Sequence, residues 1–476
     1  MDKKIIKNYL YSNLYQLLLV VTPLITTPFL TRVMKSEVLS INSYTANIAQ
    51  WFVLFGMLGI NNYGSKMIGK YRDNHQDKSR MFIEIYCMQF ISMLIISILY
   101  IVFLVSFDHL YKVIMMAQMI TLLSVGFDIT WFFYGIEDLK KITIRNSIVK
   151  IVGIVLIFSF IRSENDLLLF VLINSLSGLF GQLIMWLSIS KHITFTKVKL
   201  QNILAHFKPN IALFIPQIAI SVYSVLDITM LGSLYHDISH VNFYEQGNKL
   251  VKMFLFFVTS IGAIMLPRIA NIHHKNDHMK IQEYLNNTYK LALYLAIPMV
   301  VGIITLIPNF ISWFLPLEYQ VVSNMIIALT PIIIFISISN VYGIQYMVPT
   351  GLVKQYTISV VVAAICNFAI NLMLIPTYGA YGAIIGTVSS EFIVTIIQYI
   401  FIKNRIKLTI NIKAMFNIIL ASISMGIIVI LIGYIGSNII INGIQVLVGF
   451  FIYTIILYIL KDNFIMTILK GVKAKS

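Results

Sequence analysis

The chain has 476 residues, 58% of them apolar and only 11% charged, with a mean hydropathy of +0.85. A soluble protein needs about a quarter of its residues charged to clothe its surface, so a water-soluble globular enzyme is excluded and most of the outer surface is read as facing lipid. The net charge of +16 does not point to nucleic acid, because the lysines and arginines sit in short clusters between apolar runs.

About twenty apolar residues cross the hydrocarbon core as a helix. In chain order, runs of that length predict fourteen spans: 8–31, 41–62, 82–106, 110–134, 143–161, 166–189, 209–233, 240–266, 287–311, 322–347, 355–375, 379–402, 414–435 and 442–460. The predicted class is all-α integral membrane, with about 14 transmembrane helices. Lys3, Lys4 and Lys7 precede a first run too long for a signal-peptide core, and no small-residue cleavage site follows. The first helix is therefore expected to stay in the membrane. Cys87 and Cys366 lie far apart in apolar runs and read as small core residues rather than a disulfide or metal pair.

Positive charge sets the orientation. With the N-terminus cytoplasmic, 29 of the 35 Lys and Arg fall on inner segments and 4 on outer ones (Arg32, Lys35, Lys112 and Arg162), while Lys249 and Lys252 lie within the eighth span. Both termini are then cytoplasmic. Outer connections are short, and the inner loops 63–81, 190–208 and 268–286 are basic and too small to fold alone.

Residues 1–190 hold six spans and residues 209–402 six more, joined by a basic cytoplasmic linker, 191–208; residues 403–476 add two helices and a tail. The fourth span of the first half ends in Tyr134-Gly135-Ile136-Glu137-Asp138-Leu139-Lys140-Lys141, and its counterpart in Val348-Pro349-Thr350-Gly351-Leu352-Val353-Lys354-Gln355. An even number of spans per half inserts both in one orientation. Two six-helix lobes related by a pseudo-two-fold axis along the membrane normal are therefore expected, a transporter-like arrangement.

Four stretches carry a resemblance. They are Thr22-Pro23-Leu24-Ile25-Thr26-Thr27-Pro28-Phe29-Leu30-Thr31-Arg32-Val33, Asp128-Ile129-Thr130-Trp131-Phe132-Phe133-Tyr134-Gly135-Ile136-Glu137-Asp138, Leu226-Asp227-Ile228-Thr229-Met230-Leu231-Gly232, and Asn242-Phe243-Tyr244-Glu245-Gln246-Gly247-Asn248-Lys249. In these the chain resembles the Wzx-type polysaccharide flippases of the multidrug/oligosaccharidyl-lipid/polysaccharide exporter superfamily. The resemblance implies transfer of an undecaprenyl-diphosphate-linked oligosaccharide from the inner to the outer leaflet of a bacterial cytoplasmic membrane, for capsule, O-antigen or exopolysaccharide. It also implies membrane lipid as surroundings, H+ or Na+ as coupling ion, and a polymerase and chain-length proteins as partners. It implies no cofactor and no enzymatic step.

A charge near the bilayer centre costs roughly 2.5–3.5 kcal/mol on insertion scales, so such residues face an interior or a cavity and pair. Helical rise places Asp128 and Lys150 at similar depth, and likewise Asp227 and Lys249. Each pair either makes insertion tolerable or forms and breaks as the lobes rock. Glu245, Lys249 and Lys252 share one face of the eighth span at i, i+4 and i+7. One base suffices for the acid, so Lys252 is the candidate cavity cation for a diphosphate, with Lys249 beside it. Arg32, at the outer end of the first span, either does the same near the exit or snorkels to the interface. Glu391, mid-span in the twelfth, is a candidate proton carrier, or else a protonated, hydrogen-bonded core acid. Glu84 is a further intramembrane acid.

Pro23, Pro28 and Pro216 fall in the opening span of each half, where bending would reshape a central cavity. His273, His274 and His278, and His236 with His240, lack the acids or cysteines that would complete a metal site. Two alternatives differ in class. A cation-coupled multidrug exporter of the same superfamily predicts twelve helices, and a membrane polysaccharide polymerase predicts a sizeable outer loop. No nucleotide-binding loop is present.

Overall fold

Backbone amides have no water to bond inside a bilayer, so a spanning segment must satisfy them itself and becomes a helix. The computed structural model describes residues 18–462 apart from 20 and 107–109, together with 464 and 466; the side chains of 212–213, 215–217, 219–224, 257, 260 and 263–264 also lie outside the described set. Lys3, Lys4, Lys7 and the Pro216 side chain therefore lie outside the described residues.

Within them there is no β-strand, and the helices run α1 (21–33), α2 (Ser36–Met57), α3 (Ile60–Tyr71), α4 (His75–Ser106), α5 (Lys112–Gly126), α6 (Thr130–Gly135), α7 (Leu139–Phe160), α8 (Leu167–Ile189) and α9 (Leu200–Ala205). They continue with α10 (Phe207–Leu234), α11 (Ser239–His274), α12 (His278–Phe314), α13 (Gln320–Leu329), α14 (Pro331–Ser339), α15 (Val353–Tyr378), α16 (Ala380–Ile402), α17 (Ile412–Gly433) and α18 (Ile439–Ile459). Counting α5 with α6 as one span and α13 with α14 as another, and setting aside the short α3 and α9, every predicted span has its helix among the described residues; 8–17 of the first span lie outside them. The chain is an all-α integral membrane protein of about fourteen spans. Ten of the described helical segments are long and apolar enough to cross a membrane.

The packing is inside-out relative to a soluble protein. On α4, Leu94, Ile98 and Val102 are 51%, 52% and 52% exposed, whereas Gln89 and Ser92 of the same helix are buried. Such an apolar exterior is stable only against lipid. By contrast α2, of spanning length, carries Ser40, Asn42, Ser43, Thr45, Asn47 and Gln50, and α11 carries Asn242, Glu245, Gln246, Asn248, Lys249 and Lys252. These are the second spans of the two halves.

Two spans depart from regular α geometry. Between α5 and α6 the helix opens at 127–129, and Gln89 Nε2 meets the carbonyls of Val125, Gly126 and Asp128 at 3.1, 3.4 and 2.8 Å. Trp186 Nε1 takes the Phe127 carbonyl at 2.9 Å. In the corresponding span of the second half, α14 passes into a π-helical stretch, Asn340–Met347, a geometry concentrated at functional sites.

The basic connecting segments are more ordered than the sequence suggests. The expected loop 63–81 is largely α3 and the start of α4, and 268–286 is largely the ends of α11 and α12. Hydropathy ends where the bilayer does, but a helix continues into water on its own hydrogen bonds.

Grouped by contact, the chain forms two units, Met1–Ser233 with Asp237–Asn242, and Leu234–His236 with Phe243–Ser476. The first is cored by Ile60, Phe82, Tyr100, Trp131, Phe132 and Phe133. The sequence puts α10 at the head of the second lobe; by contact it falls in the first unit. Tyr44 of α2 closes over Gly232 and its hydroxyl meets Ser233 Oγ at 3.0 Å, while Trp51 Nε1 donates to Thr229 at 2.9 Å. In the second unit α17 and α18 pair with each other and pack on α12 around Tyr294, Ile418, Met425 and Tyr453.

Candidate functional site

The α11 stripe forms by helical spacing alone. Lys249 Nζ lies 2.7 Å from Glu245 Oε1, an i,i+4 ion pair. Lys252 is exposed and has no ion-pair partner among the described residues. One cation is thus neutralised by its own helix and the second is left over. The ion pair of Lys249 is therefore local, whereas depth matching suggests Asp227; Asp227 itself is 3% exposed within the first unit. Arg32 is exposed at the end of α1, where its Nη1 donates to the Pro28 carbonyl at 2.7 Å.

Asp128 sits in the opened turn before α6. Its Oδ1 accepts the Thr130 N–H at 2.8 Å. At the break the carboxylate thus takes the first amide of the restarted helix in an Asx-type turn. The rest of that motif builds the same corner. Trp131 is fully buried and donates to Gln89 Oε1 at 2.8 Å. A Cβ on Gly135 would stand 2.6 Å from the Ile68 side chain, so α6 can approach α3 only with glycine there. Glu137, at φ +60°, holds Arg72 at 2.7 Å. Lys141 pairs with Asp138 at 3.3 Å and donates to His192 at 2.8 Å. Burial, then that ammonium, holds the His192 imidazole below its ordinary value, so the neutral ring is the acceptor.

Glu391 is 6% exposed on α16, close enough to Tyr356 for the two to interact electrostatically. It belongs to a buried polar stripe that sequence reasoning missed: Thr387, Ser390, Thr395 and Gln398 share its face. Gln398 Nε2 donates to Ser359 at 3.2 Å, Thr387 meets the Tyr244 hydroxyl at 2.9 Å, and α15 contributes Asn367 and Asn371, joined at 3.2 Å. The helical spacing of these residues is the signal that could have revealed the stripe.

Glu84, whose side chain is 2% exposed, is the centre of a second network. Oε1 accepts from Arg80 Nε and Asn202 Nδ2, both at 2.9 Å, and Oε2 lies 3.0 Å from His206 Nε2. The other ring nitrogen, Nδ1, is 2.6 Å from the Tyr63 hydroxyl. The network ties α3, α4 and the chain around α9 together. His206 and Asn202 lie more than a hundred residues from Glu84, so no local pattern announces it.

A family model described as polysaccharide biosynthesis protein matches residues 5–273, more than half of the chain. The Escherichia coli (strain K12) protein called "Putative O-antigen transporter" is 23% identical over 417 residues, covering 84% of this chain and 97% of that one. The Staphylococcus aureus "Capsular polysaccharide biosynthesis protein CapF" is 25% identical over 291 residues, covering 57% and 70%. Among solved structures, the lipid II flippase MurJ in an inward closed conformation matches with a TM-score of 0.77 at 17% identity, over 96% of this chain and all of that one. An inward-facing multidrug MATE transporter matches with 0.59 at 11% identity, over 81% and 98%. These structural likenesses speak for the fold. With the family model spanning the first eight predicted spans, the chain belongs to the polysaccharide biosynthesis protein family.

Proposed function

We propose that this protein is a flippase that carries undecaprenyl-diphosphate-linked oligosaccharide repeat units from the inner to the outer leaflet of the cytoplasmic membrane. Two lobes, 1–190 and 209–402, work by alternating access, with both termini cytoplasmic, and a polymerase with its chain-length proteins receives the product. The observation that carries the reading is the uncompensated Lys252 on the polar helix α11, beside a Glu245–Lys249 pair that needs no second base. A lipid diphosphate brings the negative charge that this stripe lacks. Membership of the family and the names of its relatives support the same substrate class. Asp227 and Lys150 are gating candidates, and Arg32 is a cation near the exit.

Losing one charged contact to a phosphate costs about 1.5–3 kcal/mol, so Lys252→Ala should lower surface-polysaccharide export at least about tenfold at equal protein level, and Lys252→Arg should retain most of it. Unchanged export in the alanine variant would sink the cavity-cation role. Glu391 is proposed to carry a coupling proton. If Glu391→Gln transports with the same dependence on the proton gradient as the parent, that role is wrong.

The likeness to multidrug transporters favours one second reading, cation-coupled drug export. It requires that deleting the gene sensitise cells to cationic drugs; the flippase reading requires unchanged drug sensitivity and lost surface polysaccharide.

A further inference from the structure

Beyond the α11 stripe, the second unit holds a basic cavity of about 720 Å³ where the starts of α12 and α17 meet the turn after α18. Lys290, Lys413 and Lys461 line it, with Asn287, Asn411 and Asn417. Among the described residues no ion pair engages any of these lysines. The one acid in the lining, Asp462, is 2% exposed and already occupied. Its Oδ1 accepts from the Tyr294 hydroxyl at 2.5 Å and from the Phe464 N–H at 3.1 Å, and Oδ2 accepts from Asn417 Nδ2 at 3.1 Å. Those donors are neutral, so the carboxylate anchors the turn and keeps its one negative charge, against which the lining sets three ammonium groups and a net charge of +2.

Two of those lysines stand where local structure disfavours them. Lys461 closes α18 at φ +49°, with its N–H on the Tyr458 carbonyl and that of Asp462 on the Leu457 carbonyl, each at 3.0 Å. Glycine is the residue that suits this left-handed cap. Lys413 lies in the first turn of α17, which holds no acid, and there a cation opposes the helix dipole. Local rules broken twice toward one cavity mark a site rather than a surface accident. Ile412, Phe416 and Ile459, beside these lining residues in sequence, are 87%, 62% and 67% exposed, so a lipid-facing apolar surface adjoins the cations.

We propose that this cavity binds the phosphate of an anionic lipid headgroup, a site separate from Lys252. Phospholipid and polyprenyl diphosphate share that chemistry, and basic clefts between membrane helices suit it. Placing the site at the cytoplasmic leaflet rests on the orientation proposed above; lipid binding itself does not, so the two can fail separately.

The test uses the full chain purified in zwitterionic detergent, with thermal unfolding and native mass spectrometry as readouts. Phosphatidylglycerol should raise the melting temperature and stay bound, and phosphatidylcholine should do neither. Lys290→Ala and Lys413→Ala should each weaken phosphatidylglycerol binding about fivefold, the effect of about one lysine charge at a lipid surface. Lys275→Ala, which removes equal charge elsewhere on the second unit, should leave binding unchanged. Lys461→Gly should melt higher than the parent without lipid and yet bind lipid more weakly, a combination no purely structural role produces. Farnesyl diphosphate displacing phosphatidylglycerol would identify polyprenyl diphosphate as the ligand, and failure to displace it would identify phospholipid. Equal binding of phosphatidylcholine, full reproduction of the shift by inorganic phosphate, or parent-like affinity in the Lys290/Lys413/Lys461 triple variant would overturn the proposal.

Discussion

Glu84 and Lys252 are both charged groups in spanning helices, and the structure treats them oppositely. Glu84 is surrounded by Arg80, Asn202 and His206, and its side chain, 2% exposed, is closed to a substrate. Lys252 has exposure and no counter-ion among the described residues. The first is a structural clamp, and only the second has charge to spend on a ligand. Removing an acid from a buried network leaves its partners desolvated and unpaired, at about 3–5 kcal/mol. Arg80 keeps half its side chain in solvent, so the low end applies. Glu84→Ala should therefore lower stability by about 3 kcal/mol, read as a drop in melting temperature of the purified protein; no drop would show that the clamp is idle. The importance of Glu84 was legible from its place in an apolar run. Its partners were not, because they arrive from a distant short helix whose docking depends on the tertiary fold.

At the scale of the element, fourteen spans were legible because bilayer thickness converts directly into residue number. The irregular parts were not. The opening at 127–129 has no proline or glycine pair to announce it; Gly126 alone precedes it. It persists because Gln89, buried on α4, meets the carbonyls there and the Trp131 indole together. Gln89→Leu would strand several of these groups at about 1–3 kcal/mol each. Its expected outcome is a clear loss of folded protein in detergent, measured by size-exclusion yield and melting temperature. A variant as stable as the parent would mean that the break is maintained by something other than this amide. The Asp128-to-Asp138 motif, the most specific in the sequence, is explained by the same corner. Asp128 takes the Thr130 amide, Trp131 locks onto Gln89, Gly135 lets α6 touch α3, and Glu137 pins Arg72. These residues identify the family by how they build a helix break, and they name no substrate-binding group. The polar stripes on α2, α11 and α16 carry the remaining options for chemistry, and helical spacing made only the α11 stripe conspicuous because it alone is charged along its length.

At the scale of the whole molecule, an apolar exterior and a strong sorting of lysine and arginine predict one arrangement, with the basic segments on one membrane face. Single cysteines placed between Gly64 and Arg80, and in the tail after Lys461, should react with a membrane-impermeant thiol reagent only after the inner leaflet is breached. Labelling of either in intact cells would reverse or break the topology. The central claim is that the chain moves a lipid-linked diphosphate across the bilayer with Lys252 as the cation that engages it. Its most direct measurement is transfer of a fluorescent polyprenyl-diphosphate oligosaccharide between leaflets of proteoliposomes, followed by a membrane-impermeant quencher. The account predicts rapid transfer with the parent protein and transfer at least about tenfold slower with Lys252→Ala, in line with one lost charged contact. Parent proteoliposomes no faster than protein-free vesicles, or an alanine variant as fast as the parent, would contradict it.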